Sequence, residues 1–291
     1  MGKNLRGLFK RTVRNKMVTA FLLVIIIPSA IIGSLSFQSA KKEMRDTLIS
    51  AANEKVDMLD YFLSNTMMPM IHSINHYAES LSVKNASEEK IDEISKKFDE
   101  FIEMNEGALS IYIGTKEGKM ISTTGKVYAK NFDPKGQDWY IAAVEAGTTP
   151  IILPPYEAAS GNMVITIAQQ LLDKSGVIAV DINIYNFRSL VSKGKIGEEG
   201  YAFILDTNKK IVAHPSLKSG TLVEDSFIEK MFGSEKGKYE SQMDGEDVYV
   251  VFTTNKLTGW KIGGISKSVE VNEAAHPIFL STIIVIFISV L

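Results

Sequence analysis

MVITIAQQLLDKSGVIAVDINI (residues 163–184) is two apolar runs joined by four polar residues. β-Branched residues crowd both MVITIAQQLL (163–172) and VIAVDINI (177–184), and Asp-Lys-Ser-Gly (173–176) supplies a turn. The segment therefore reads as two consecutive strands. One residue breaks the second run. Asp181 stands inside VIAV-D-INI, where burying an unpaired acid is costly. It needs a structural partner, such as a backbone N–H, or a ligand.

Upstream, ALSIYIGT (108–115), the tight turn KEGK and MISTT form a hairpin pattern. A Pro-rich bend (149–156) precedes the first quoted strand, and a short helix, YNFRSLVSK, follows the second. The pattern then starts again. GYAFILDTNKKIVAHP (200–215) is strand, turn, strand; VEDSFIEKMFG is helical; KGKYESQMDGEDVYVVFTTN (236–255) is a hairpin; TGWKIGGISKS (258–268) is a last strand. A helix–strand–turn–strand unit thus occurs twice, about 100 residues apart. The similarity is topological, without an identical repeated motif. The fold class expected is α+β, two antiparallel sheets flanked by helices.

Before these sheets, Leu48, Ala52, Val56, Leu59, Leu63, Met67, Met70, Ile74, Tyr77 and Leu81 step by three and four. This is a long helix with one apolar stripe, kinked at Pro69 if at all. Part of the stripe is expected to cover the sheets, and part to pair with a second copy in a parallel dimer. Residues 82–97 are polar, with a helical rhythm continuing to Met104.

Two segments carry membrane signals. Residues 17–37 (MVTAFLLVIIIPSAIIGSLSF) hold no charge, and their length spans about 30 Å of hydrocarbon as a helix. Six basic residues and no acid precede them, which places the N-terminus in the cytoplasm. A cleaved signal peptide, the alternative, has a shorter apolar region. Residues 276–291 (HPIFLSTIIVIFISVL) are again uncharged; they read as the start of a second span that continues past Leu291 into a cytoplasmic output half, with a buried core helix as the alternative. The chain is then a multi-pass cell-membrane protein in contact with lipid, with residues 38–275 extracellular.

The formal charge of −2 and the acidic body beyond residue 16 give no footing for nucleic acid. There is no cysteine, so disulfides and thiolate catalysis are excluded. No G-x-S-x-G, P-loop or G-x-G-x-x-G occurs. His72 and His76 have metal-helix spacing, but residue 73 is Ser where a metalloprotease needs Glu; they read as ordinary surface or packed histidines. His214 precedes Pro215 at a strand end, with no serine or acid nearby in a triad-like setting. No enzyme, cofactor or metal site is expected.

Binding chemistry concentrates around FDPKGQDWYIAAVEAG (132–147), a rigid polar turn running into Trp139 and Tyr140 at the mouth of a helix. Aromatic walls with a few polar groups suit a small ligand. Tyr112, Ser122, Thr123, Tyr128, Asp133, Trp139, Tyr140, Tyr156 and Asp181 are the candidates, and a carboxylate beside aromatic faces suits an ammonium.

The order of these segments resembles the extracellular double-Cache sensor of bacterial transmembrane receptors. The carrying residues are D-P-x-x-x-x-W-Y at 133–140, I-A-V-D-I at 178–182 and G-Y-x-F-I-L-D…H-P at 200–215. The N-terminal RTVRNKMVTAFLLVIIIPSAIIG is most similar to methyl-accepting chemotaxis proteins of Gram-positive bacteria. The resemblance implies two stacked PAS-like (Cache) modules hung on a long stalk helix (38–81) and flanked by transmembrane helices. The membrane-distal module (82–192) would bind ligand and the membrane-proximal one is 193–275. It also implies a homodimeric receptor whose cytoplasmic partners act on a C-terminal part, with a sensor histidine kinase as the alternative output. In amino-acid-binding members the counterpart of Asp181 pairs with the ligand ammonium, and an Arg two residues before the Trp grips the carboxylate. Here that position is Gln137, and Phe132 replaces an aromatic hydroxyl. Gln cannot make a bidentate clamp; Lys135 offers a point charge. The implied ligand is an amino acid, an amine or another small polar metabolite, met directly or through a binding protein.

Overall fold

The computed structural model of the chain describes residues 13–126, 128, 132–158 and 160–290. Helix α1 runs without interruption from Val13–Ser80, through both Pro28 and Pro69. Helix α2 (Glu88–Met104) is started by Ser87, whose hydroxyl accepts from the Lys90 N–H, and it buries Ile94, Phe98 and Phe101. Then come β1 (Ala108–Thr115), β2 (Met120–Ser122), a 3-10 turn (Pro134–Gly136) and α3 (Asp138–Ala146). Two-residue strands β3 (Ile151–Ile152) and β4 (Tyr156–Glu157) precede β5 (Met163–Gln170) and β6 (Gly176–Asn183). Helix α4 (Ile184–Lys193) leads to β7 (Lys195–Ile196), β8 (Gly200–Leu205) and β9 (Ile211–Ala213). Helix α5 (Ser226–Phe232), β10 (Lys236–Met243), β11 (Glu246–Thr254), β12 (Lys261–Lys267) and α6 (Ser268–Val290) complete the described chain.

The strands form two antiparallel sheets of six, ordered β2-β1-β6-β5-β3 with β4 also on β5, and β10-β11-β12-β8-β7 with β9 also on β8. From β2 and from β9 the two orders correspond: β2-β1-β6-β5 matches β9-β8-β12-β11. The repeat seen in the sequence is thus a repeat of strand order. The quoted turn at 173–176 is held by Asp173, whose Oδ1 accepts from the Ser175 N–H (2.9 Å) and hydroxyl (2.6 Å), with Lys174 at φ +59°.

Period-two alternation assigns each sheet two faces. Ile111 and Ile113 on β1, Ile165 and Ile167 on β5, and Ile178, Val180 and Ile182 on β6 face α1 and α2. Ala202, Ile204, Val251 and Ile262 of the second sheet join the same core, which crosses from one sheet to the other along α1. The stripe from Ala52 to Leu81 is buried in this single core, except that Ala78 replaces Tyr77, and Leu48 is buried ahead of it. Tyr77 lies at the flank, edge-on to Phe98 and Phe101. The stripe expected to divide between the sheets and a second copy is therefore taken up within one chain. The opposite faces of the sheets carry their own small cores, one around Tyr112, Trp139 and Ala179, the other around Phe203, Phe227 and Phe252.

Polar clamps fix α1 to both sheets. Asn255 donates to Asp60 Oδ1 (2.8 Å) and Ser64 Oγ (2.7 Å) while its carbonyl caps the turn at Leu257 and Thr258. Gln169 donates to Asn75 Oδ1 (2.9 Å). Helix α6 packs on the first part of α1, with Phe37 and Phe279 5.9 Å apart. Both helices contain a window long and apolar enough to cross a membrane.

Candidate ligand-binding site

The outer face of the first sheet holds a cavity of about 740 Å³. Its floor is a row across three strands. Ser110 on β1, Asp181 on β6 and Thr166 on β5 are direct cross-strand partners, so one alternation places all three on the outer face. Asp181 is 7% exposed. Its Oδ1 accepts from the Tyr112 hydroxyl (2.9 Å) and the Thr166 hydroxyl (2.7 Å), and its Oδ2 from the Ser110 hydroxyl (2.9 Å). Thr166 Oγ1 also meets the Tyr156 hydroxyl at 2.8 Å. Since Thr166 gives its proton to Asp181, Tyr156 is the donor in that pair.

The acid that broke the apolar run is thus held by neutral hydroxyls. A carboxylate has about four acceptor sites. Three are used, and the vacant capacity is on Oδ2. Burial pushes the Asp181 carboxyl above the usual carboxylate range; hydrogen bonds from Thr166, Tyr112 and Ser110, and then the charge of Lys126, pull it back down. Burial likewise raises Tyr112 well above the ordinary phenol and pushes Tyr128 and Tyr156 up to about 12, so all three remain hydroxyl donors at neutral pH.

The turn at 132–139 forms one wall and is itself packed on the sheet. Asp133 caps it by accepting from the Lys135 N–H (3.0 Å), and Pro134 is buried. Gly114 on β1 lies beneath. A Cβ there would stand 2.7 Å from both Pro134 and the Trp139 ring. The turn seats Trp139 against Tyr112, edge-on with centroids 5.1 Å apart. Gln137 lines the cavity, and its side-chain amide folds back toward the Asp133 carbonyl (3.4 Å).

Of the residues picked from the sequence, Tyr112, Tyr128, Gln137, Trp139, Tyr156 and Asp181 line the cavity. Five others do not. Asp133 caps the turn. Tyr140 is buried behind Trp139, 5.6 Å between ring centres, because the next helical position turns it toward Gly114. Lys135 projects from the outside of the 3-10 turn, beside Gly118 in the β1–β2 turn. Ser122 is buried at the β2 edge next to Tyr128, and Thr123 leaves the strand beyond it.

The structure adds residues that sequence reading missed as contacts. Lys126, exposed at the cavity mouth, holds its Nζ 5.9 Å from the Tyr112 ring centre and 5.5 Å from that of Tyr128. Partial desolvation lowers its ammonium pKa, and Asp181 opposes that shift. Asp138 and Glu157 are also at the mouth. Among the described residues, Lys126 is the one cation lining the cavity, against three carboxylates. The exposed His72 and His76 stand apart from it, and no group of three or more His, Asp or Glu with metal-binding geometry occurs among the described residues.

The sequence matches the Cache domain family (dCache_1) over residues 38–275. It is 35% identical over 287 residues to the methyl-accepting chemotaxis protein McpA of Bacillus subtilis (strain 168), a match that covers 98% of this chain and 43% of McpA. The chain therefore spans less than half the length of that relative. Among solved structures, the ligand-binding domain of the Pseudomonas aeruginosa PAO1 amino-acid chemoreceptor PctB, in complex with L-Arg, superposes with a TM-score of 0.57 at 21% identity. The match covers 78% of this chain and 96% of that ligand-binding domain. The ligand-binding domain of Pseudomonas fluorescens chemoreceptor CtaA, in complex with L-isoleucine, gives 0.59 at 22% identity, over 81% and 97%.

Proposed function

This chain belongs to the Cache-domain family, and on that premise we propose that it is the sensing region of a transmembrane methyl-accepting chemoreceptor. Its ligand is a small ammonium-bearing metabolite, an amino acid or a related amine, bound on the outer face of the first sheet. The observation that carries this reading is Asp181: a buried carboxylate held by three hydroxyls, with acceptor capacity vacant and aromatic rings around it. An ammonium completes the carboxylate by a charge-assisted hydrogen bond and gains cation–π attraction from the rings. The three structural and sequence relatives named above are chemoreceptors or their ligand-binding parts, not enzymes.

Gln137 leaves no guanidinium to grip a ligand carboxylate. Lys126 takes that part. Its Nζ stands 5.9 Å from the Tyr112 ring centre and, among the described lining residues, it is the one positive group. A zwitterionic amino acid then lies between Asp181 and Lys126, and an amine uses Asp181 alone.

Membrane placement follows from the two apolar segments. Phe21 (68% exposed) and Val24 (70%) on α1, and Phe287 (65%) on α6, present large side chains outward, which suits contact with lipid. Residues 38–275 lie outside the cell in this reading, and α6 carries the signal inward. Met58, Tyr61 and Met68, exposed on the face of α1 away from the sheets, favour pairing with a second receptor chain there. A histidine kinase output is distinguished by the sequence following Leu291, through a phospho-accepting His and an ATP-binding domain.

Thermal unfolding of the chain in lipid nanodiscs, against a panel of amines and amino acids, tests the ligand class, because a ligand bound to the native state raises its stability. At least one panel member should raise the melting temperature, and Trp139→Ala should remove that shift. A panel with no effect, or a shift that survives Trp139→Ala unchanged, overturns the site.

A further inference from the structure

We propose that the second sheet carries its own ligand site, for a small uncharged and mainly apolar molecule with one hydrogen-bond-accepting oxygen. This goes beyond the reading of the first cavity and does not rest on it. The starting point is His214, which the proposed sensing chemistry leaves unused.

A cavity of about 300 Å³ lies on the outer face of the second sheet, under α5. Its position repeats that of the first cavity. In the first sheet, the outward pairs between β1 and β6 are Ser110 with Asp181 and Tyr112 with Ala179. The corresponding pairs between β8 and β12 are Tyr201 with Ile265 and Phe203 with Gly263. Gly263 leaves the space that the Phe203 ring fills, and Phe227 and Ile228 of α5 close the far side. The fold thus presents the same concavity twice and changes its chemistry. Where the first floor has the acid Asp181, the second has Ile265.

One polar group enters this apolar wall. His214 is 7% exposed and lines the cavity. Its Nδ1 accepts from the backbone N–H of Ser216 (3.1 Å) and of Leu217 (3.0 Å). An acceptor at Nδ1 carries no proton, so in the neutral ring the proton is on Nε2. Burial pushes the imidazole pKa down to about 4 and keeps it neutral. Tyr201 packs edge-on against the ring at 4.9 Å. The ring's hydrogen bonds are all at Nδ1, so Nε2–H, on a ring that lines the cavity, is left to donate to whatever occupies it. A ligand oxygen supplies the partner. Asp225 and Asp244, exposed at the mouth, repel carboxylates, and the apolar floor offers an ammonium no buried counter-charge. What remains is a neutral alcohol, ketone or amide on an apolar body.

The test uses the chain in nanodiscs with ε-13C methionine. Met243 lines the second cavity, Met120 the first, and Met17 lies in the apolar start of α1. Benzyl alcohol should shift the Met243 methyl saturably and leave Met120 in place. Toluene, lacking the oxygen, should bind about tenfold more weakly, as expected for one hydrogen bond, and benzoate should not bind. His214→Asn keeps an acceptor for the two backbone N–H groups but removes Nε2–H, so it should erase the preference for benzyl alcohol over toluene. A Met243 signal that no neutral probe moves overturns the site. So does a shift that rises without saturation in step with Met17, which reports partition into lipid. A preference that persists in His214→Asn overturns the role of His214, and equal binding of toluene and benzyl alcohol to the unaltered chain does the same without any variant. An amine that moves Met120 reports on the first cavity separately.

Discussion

Replacing Asp181 by Asn removes one charge and little volume. In the unliganded protein the carboxylate is buried among neutral hydroxyls, and burial raises its pKa above the unfolded value. A group raised in this way favours the fold in its protonated form. Its contribution is fully present below the unfolded pKa of about 3.9 and is lost as pH rises through the folded pKa. At pH 7 the ionised carboxylate is therefore a cost to the empty protein, and Asn relieves it. Ser110, Thr166 and Tyr112 can each rotate a hydroxyl to meet an amide. Empty Asp181→Asn should melt no lower than the parent at pH 7, and its advantage should shrink toward pH 4. Binding should change in the opposite sense. A hydrogen bond to a charged group contributes about 1.5–3 kcal/mol, so amine affinity should fall roughly 10- to 150-fold. In the parent, affinity should also decline as pH drops through the folded pKa of Asp181, while the variant's weak binding stays flat. Calorimetry of an amine titration between pH 5 and 8, with thermal melts of both proteins, reads all of this. An Asn variant that binds within threefold of the parent, or that loses stability at pH 7 when empty, refutes the view of Asp181 as a ligand-facing charge.

Other substitutions separate the parts of the site. Gly114→Ala drives a Cβ to 2.7 Å from Pro134 and Trp139; such overpacking costs about 1–3 kcal/mol. The melting temperature should drop by roughly 2–10 °C, and amine affinity should fall with it as Trp139 is displaced. Lys126→Gln should weaken an α-amino acid about tenfold or more while leaving the decarboxylated amine unchanged; equal losses for both ligands, measured by calorimetry, argue against a carboxylate contact. Glu270 is buried at the start of α6 and accepts from the Glu198 and Glu199 N–H groups at 2.9 and 3.0 Å. Glu270→Ala orphans both donors, so a loss of about 1–3 kcal/mol is expected in denaturant unfolding, with ligand affinity in the first cavity unaltered.

What could be read from the sequence was whatever repeats over enough residues to show a period. The 163–184 pair, the 108–122 hairpin and the second set of strands all appear where their alternation put them. Strands β3, β4 and β7, of two residues each, have no period to detect. They exist because a neighbouring strand offers free backbone groups. The stripe on α1 slipped by one residue near its end, since Tyr77 is large enough to look buried while the helix turns Ala78 inward. Asp181 was legible because an acid in an apolar run demands an explanation. Lys126 was not, because it reaches the cavity from a loop and no local pattern announces it. Lys135, two residues from Gln137, was the point charge the sequence offered. The 3-10 turn directs it outward, and chain proximity misled where backbone geometry decided.

The same alternation that builds the cavity also determines what a ligand can move. On β6, Asp181 faces the cavity while Val180 and Ile182, its immediate neighbours, are packed in the core against α1. A force on Asp181 reaches α1 through the thickness of one strand. That core continues along α1 to Ala202, Ile204 and Ile262 of the second sheet, and packed interiors transmit displacement because they have few voids to absorb it. At the far end, β12 stops at Lys267 and α6 begins at Ser268 with no intervening loop. Glu270 then binds the β7–β8 turn back onto α6. A shift of the second sheet has no flexible linker in which to dissipate before it reaches the apolar helix. In the proposed receptor, ligand binding would change the position of α6 only to the extent that it favours one arrangement of this core over another, so the free energy available for signalling would be the difference in how Asp181 and Lys126 meet the ligand in the two arrangements, not the affinity itself.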